Sequence, residues 1–480
     1  MDRLILDVED EKTQHQGLTG LVVGSIVVLF VCSSVRHILF KSNAYDLGIF
    51  DQAVYLISQG EIPISSFMGY HILGDHAAGI WYPLALLYKI YPSVYWLFAV
   101  QAIALGFAAV PVRDLALQAG LKSSQAKVVV IAYLLYPQVF NANLYDFHPE
   151  VIAVPGLLMA VLAARTKKPG WYALSVVVVL ACKAVLSLTV AAMGFWLLVF
   201  EKRRWYGFLT ILGGLLWFAI ASKLIIPFFS GKEAAALSRY SYLGNSVFDI
   251  VKNIFFKPEL FLGKIFSAIN LEYLFLLFIP IAWAISRKAI TPLIATIPCI
   301  ALNLLSDSPA QKNLVNQYSI PVVPFLILVI IGSFAANQLW LRSHKAIIIW
   351  SIVGFLALGK YTYFGEQYLK TLDTWHSTRH AVMLVKTPGS VLTTATISTH
   401  LTHRKLIKFT DITNPPNLND FEYVLLNLRH PGWLSNKEFA ESLLKQLQNL
   451  PDFKLQYQEN QVYLFQKPGF ITLVNGEPKT

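Results

Sequence analysis

Charged side chains are scarce in this sequence. Asp, Glu, Lys and Arg make up 14% of its 480 residues, against roughly 25% in a soluble chain of ordinary composition. That shortage excludes water as the main solvent. Cysteine is rare too. Cys32, Cys182 and Cys299 each lie inside an apolar run and none forms a CxxC pair, which excludes a disulfide framework and a spacing-defined zinc site. The first 17 residues lack the basic start of a secretory signal and carry Asp2, Asp7, Glu9, Asp10 and Glu11 instead. No small-residue cleavage pattern follows the first apolar run, so that run reads as a retained anchor. Internal repeats and low-complexity tracts are absent as well.

What the chain has is hydrophobic length. Apolar residues reach 55% and the mean hydropathy is +0.52. A bilayer-crossing helix needs ~20 mostly apolar residues. Such runs fall at 18–38, 94–117, 124–142, 149–165, 171–200, 205–227, 262–286, 288–306, 317–341 and 345–361. They are too long and too continuous for barrel strands, and in lipid only helices and closed barrels satisfy every backbone N–H and C=O. The 171–200 run is too long for one crossing and reads as two shorter helices that dip in and return. The run 77–91, interrupted by Pro83, reads as a helix on or partly in the membrane. The fold class expected is an α-helical polytopic membrane protein of about 10–11 transmembrane helices with a small C-terminal α/β domain.

The net charge of +11 would suggest nucleic acid in a soluble protein. Here the basic residues collect between apolar runs: Arg113, Lys122 and Lys127; Arg165, Lys167 and Lys168; Lys202, Arg203 and Arg204; Arg287 and Lys288; Arg342 and Lys345. With 77–91 not crossing and 171–200 crossing twice, all five clusters share one side, which the positive-inside rule makes the cytoplasm. No nucleic-acid partner is expected. The organisation is a cytoplasmic tail 1–17, a membrane domain 18–361 with a first outer loop 39–93, and an extracytoplasmic domain 362–480. In that last part 390–395, 422–428, 453–458 and 461–466 read as strands and 435–449 as a helix.

The unusual polar residues fall in the stretches assigned to the outer side. From Ile49, apolar Phe50, Ala53, Leu56 and Ile57 share one helical face and Asp51, Gln52, Tyr55 and Gln59 the other, the pattern of an interfacial helix. Asp46 just precedes it, as a helix cap or as a carboxylate base at the lipid boundary. Five residues of helix separate Asp46 from Asp51 by about 500° of rotation, so the two do not converge. His71, Asp75 and His76 form a second patch, read as a metal or anion site or as a polar loop. In NANLYDFHPE, Asp146 and Glu150 suit helix capping, which leaves His148 without an explanation. Lys183 lies within an apolar run, where a lysine in hydrocarbon costs at least ~2.5 kcal/mol; at a turn it would instead snorkel outward or meet an anion. Asn316, Gln317 and Tyr318 open the 317–341 run, as ligand donors or as an interfacial belt.

Together these stretches resemble a family of membrane proteins known as domain of unknown function 2079. The resemblance rests on YDLGIFDQAVY, GDHAAGIWYPLALLYKIYP, YDFHPEVIAVPGLL, NQYSIPVVPF, TPGSVLTTATISTHLTHRKLIKF and EYVLLNL, from about residue 44 to 466. That family is grouped with the GT-C membrane glycosyltransferases. The resemblance implies an enzyme of a bacterial-type plasma membrane that takes a sugar from a polyprenyl-phosphate carrier at the outer face. Asp46 is then the catalytic acidic residue of the first outer loop, with Asp51 second. Asp75, His76, Asp146, His148, Glu150, Lys183, Gln317 and Tyr318 are candidates for substrate binding. The chain departs from the family pattern after Lys183, where Ala184 and Val185 stand in place of acidic residues. No ligand spacing assigns a metal, and a divalent metal is an alternative source of positive charge for the leaving phosphate. A transporter or flippase, or a non-catalytic membrane protein, are the competing readings.

Overall fold

The computed structural model describes residues 2–233, 235–469, 473, 474, 477 and 478. The acidic side chains at 2–11 and the end of the 362–480 domain lie outside the residues whose side chains are described. Contacts divide the chain into two compact units. One comprises Met1–Cys32, Leu73–Ile80 and Phe98–Tyr361; the other comprises Ser33–Ile72, Trp81–Leu97 and Thr362–Thr480.

Nearly every apolar run becomes helix. Among the described residues five helices are long and apolar enough to cross a membrane: Gly17–Ile38, Tyr95–Gln118, Arg204–Ser230, Gln317–Ala335 and His344–Leu369. Glu259–Ile265 and Ala268–Ala284 together are apolar enough for a sixth, but they are bent by 54°, the geometry of a broken span or of a re-entrant loop. The remaining runs make shorter apolar helices, so the count of 10–11 full crossings is not reached by length. Proline is one reason. The 124–142 run divides into Ser123–Leu134 and Pro137–Leu144, because Pro137 has no N–H to continue a helix and holds Tyr136 extended. The 77–91 run yields only Trp81–Ile90.

The 171–200 run splits as its length demands. Pro169–Cys182 and Leu186–Val199 meet at Lys183, whose backbone is extended at φ −165°, ψ 136°. Fourteen residues rise only about 21 Å, short of the ~30 Å hydrocarbon layer. Arg165, before the first helix, pairs with Glu201, after the second, at 2.8 Å, and Arg203 Nη2 donates to the Arg165 carbonyl. The pair is therefore a hairpin. Its open end carries basic residues of two of the clusters read from the sequence, and its tip is Lys183.

Close backbone approach fixes the next contact. Leu186–Val199 packs along Arg204–Ile220, and a Cβ on Gly207 would stand 2.6 Å from the Gly194 carbonyl oxygen and from Leu198. Small residues let helices approach in lipid where hydrophobic burial adds little. Gly207→Leu is expected to cost at least 1–3 kcal/mol by forcing the helices apart. The thermal midpoint of the purified protein checks this against Gly213→Ala, where an added Cβ meets nothing within 4 Å.

In the other unit a five-stranded sheet forms from Val391–Thr393 (β1), Ile407–Phe409 (β2), Tyr423–Asn427 (β3), Lys454–Glu459 (β4) and Val462–Gln466 (β5). Its order is β2-β1-β3-β5-β4, with β1 parallel to both β2 and β3 and the rest antiparallel. Asn460 and Gln461 take positive φ between β4 and β5, the backbone of a two-residue hairpin turn. Helix Lys437–Asn449 is capped by Asn436, whose side chain accepts from the Phe439 N–H, and buries Ala440, Leu443 and Leu447 beside Leu392, Val424 and Leu426. Strand β2, three residues long, is the one the sequence reading missed.

This unit also takes in most of the 39–93 stretch expected to be the first outer loop. Helix Ile49–Ser58 has a buried apolar face, but Asp51 and Gln52 are buried as well, at 1% and 0% exposure. It is not an interfacial helix with a wetted polar face. Gln52 explains why: its Nε2 donates to Ser66 Oγ and the Arg404 carbonyl, while its Oε1 accepts from the Ser66 N–H. The polar face meets protein hydrogen-bond partners, so burial leaves no unpaired amide.

Candidate functional site

The first unit holds a charged cluster around the hairpin tip. A helix break inside a membrane protein leaves backbone groups without partners. The segment Leu73–Ile80 supplies them: the Ile80 N–H donates to the Ala181 carbonyl at 3.0 Å, and the Ala184 N–H to the His76 carbonyl at 2.9 Å. This lacing holds Lys183 in place. Its Nζ donates to Glu150 Oε1 at 2.6 Å, with both side chains buried. Glu150 thus supplies from 33 residues upstream a carboxylate that Ala184 and Val185 do not. The other oxygen, Glu150 Oε2, is buried without a hydrogen-bond partner among the described residues.

Tyr318 adds an aromatic face. Lys183 Nζ lies 5.9 Å from its ring centroid and the Arg239 guanidinium 5.3 Å. Arg239 was not singled out in the sequence, since it sits in a stretch without any recognisable motif. Gln317 is buried with Oε1 unpartnered, and Asn316 is buried with its carbonyl accepting from Gln138. Neither belongs to an exposed interfacial belt. His76 pairs with Asp75 at 3.2 Å. Burial holds the His76 imidazole below its ordinary range; Asp75 pulls it upward and the Lys183 charge pushes it further down. His148 is buried, stacks on Tyr145 and donates its backbone N–H to Gln101 Oε1. Asp146 is buried in a left-handed conformation at φ 113°, a cost that local structure must hold in place.

Asp75, His76, Asp146, His148, Glu150, Lys183, Gln317 and Tyr318 therefore all lie in the first unit. Asp46 and Asp51 lie in the second. Asp46 is not the cap of its helix: Asn43 is, accepting from the Tyr45 N–H, and Asp46 lies within the wide turn Ala44–Gly48. Asp51 accepts from Tyr88 and Thr402 and lies 3.3 Å from His403 Nε2. Burial alone would raise its carboxyl; His403, Thr402 and Tyr88 outweigh that and hold it below the usual range. The His403 ring stacks on Tyr55 at 4.6 Å, and His400 stacks on His37 at 3.9 Å. Burial lowers His400 to about 4. Among the described residues no three His, Cys, Asp or Glu side chains are grouped to hold a metal ion.

Two crystal structures share this fold over nearly the whole chain. ArnT from Cupriavidus metallidurans bound to undecaprenyl phosphate has 13% sequence identity and a TM-score of 0.53, covering 94% of this chain and 98% of that one. ArnT from the same organism in the apo state has 12% identity and a TM-score of 0.53, covering 92% and 97%. At such identity the likeness establishes the GT-C fold alone. No curated protein matches the sequence. Residues 36–464 match the family described as predicted membrane protein (DUF2079), and the chain belongs to that family.

Proposed function

We propose that this protein is a GT-C-type membrane glycosyltransferase that moves a sugar from a polyprenyl-phosphate donor to an acceptor hydroxyl on the extracytoplasmic side. The observation that supports this reading is the likeness over 94% of the chain to a protein crystallised with undecaprenyl phosphate. The acceptor oxygen attacks the anomeric carbon, the bond from that carbon to the phosphate oxygen breaks, and the phosphate leaves with the electron pair. Charge on the leaving phosphate needs fixed donors that do not reorganise during the reaction. Lys183 and Arg239, both near the Tyr318 ring, are the candidates, with His76 beside Lys183. Asp46 is the candidate general base, which accepts the hydroxyl proton as the new bond forms.

The test is transfer from radiolabelled polyprenyl-phosphate sugars by the purified full chain. Asp46→Asn is expected to lower turnover by roughly 10²-fold or more at an unchanged thermal midpoint. Equal turnover in the two proteins removes Asp46 from the role of base. Lipid movement without transfer in the wild type replaces the enzyme by a flippase.

A further inference from the structure

The second unit contains a cavity of about 190 Å³. It is smaller than the ~300–1,000 Å³ usual for drug-sized ligands, so it has room for one ring rather than an extended chain. Its position follows from the sheet. β1 and β3 run parallel and adjacent, and in an open α/β sheet the carboxyl ends of parallel strands border the ligand crevice. Thr394 follows β1, Asn427 ends β3, and both line the cavity. Thr394 is 1% exposed, and its Oγ1 is buried with no hydrogen-bond partner among the described residues. A buried hydroxyl without a partner costs free energy, and this one belongs to a residue that lines the cavity.

The rest of the lining has a mixed character. Phe40 and Trp375 provide aromatic surface. The Trp375 indole N–H donates to the Ile38 carbonyl at 2.8 Å, which fixes the plane of its ring. Phe40 takes φ 56°, its N–H bonding the His37 carbonyl and the Lys41 N–H the Arg36 carbonyl. This is a helix C-terminal turn in which glycine is the usual residue. A phenylalanine kept there in a left-handed conformation is strain retained at a place where its side chain forms a wall. The same turn delivers Lys41, which also lines the cavity. No carboxylate lies within 4 Å of Lys41 among the described residues, whereas His430, on the lining too, is already paired with Asp373 at 2.8 Å.

Aromatic walls suit the C–H faces of a sugar, the unpartnered Thr394 hydroxyl suits one of its hydroxyl groups, and an unpaired ammonium suits an anionic substituent. We propose that this cavity binds a single sugar ring carrying a carboxylate, with Trp375 and Phe40 against the ring, Thr394 on a ring hydroxyl and Lys41 on the acid. The site is a binding site in its own right. It does not depend on the transferase reading, and loss of turnover leaves it standing.

The probes are glucuronate and glucose, titrated calorimetrically into the detergent-purified full chain through the millimolar range. Glucuronate is expected to bind saturably and at least tenfold more tightly than glucose. Lys41→Gln should erase that preference, and Thr394→Val and Trp375→Phe should each weaken glucuronate about tenfold. Thermal midpoints within error of wild type show that the variants fold. Absence of saturable glucuronate binding overturns the proposal. So does equal affinity for the two sugars, or glucuronate binding that all three variants leave unchanged.

Discussion

Lys183→Met is expected to destabilise the purified protein by about 3–5 kcal/mol, because it leaves the Glu150 carboxylate charged, buried and alone. The pair is buried on both sides at 2.6 Å, and Glu150 Oε2 already lacks a hydrogen-bond partner among the described residues. Removing Lys183 would take away the only hydrogen-bond donor to this carboxylate among the described residues. The reverse change separates pairing from packing. In Glu150→Leu/Lys183→Met both charges go together, and most of the lost stability should return, since a buried pair often contributes little net stability over apolar residues of similar volume. Thermal midpoints of the two single variants and the double variant give the coupling directly. Additive losses would show that the two charges do not depend on each other. Recovery of stability without recovery of sugar transfer would assign the Glu150–Lys183 pair a chemical role beyond its structural one.

How far the sequence shows this arrangement depends on the distance over which its signals act. The hairpin at 169–199 is legible because a run of that length cannot cross once, and a lysine in its middle marks the turn. The strands at 391–393, 423–427 and 462–466 are legible from short β-branched and aromatic runs. Glu150 as partner to Lys183 is not: nothing local distinguishes it from a helix-capping carboxylate, and the two meet only because Leu73–Ile80 laces the tip. The same holds for Asp51 and Gln52. Their spacing on a helix predicts a polar face, and hydrophobic periodicity cannot say whether that face meets water or protein. Here it meets residues 402–405, about 350 positions later. The run THLTHRK was visible as a family motif, yet its His400, His403 and Arg404 gain meaning only once that contact is known.

Asp51 supplies the sharpest test of that long-range contact. In Asp51→Ala the Tyr88 and Thr402 hydroxyls lose their acceptor inside the protein, at about 1–3 kcal/mol each, so a loss of roughly 2–6 kcal/mol is expected. The carboxyl is held below its usual range in the folded state. Its stabilisation is therefore fully present above the unfolded value near 3.9 and is lost as pH falls through the lower folded value. Other carboxylates titrate in the same window, so the measurement is a difference. Wild type minus Asp51→Asn should shrink as the pH drops below about 4. Hydrogen exchange localises the effect: residues 399–407 should exchange faster in Asp51→Asn, while 150–183 stay unchanged. Unchanged exchange at 399–407 would show that Asp51 does not anchor that segment. The result also divides the two acidic residues by role. An anchor lowers turnover only in proportion to the folded fraction, whereas a base lowers it in fully folded protein. On this reasoning Asp51→Asn should lose turnover in step with stability, and Asp46→Asn should lose turnover alone.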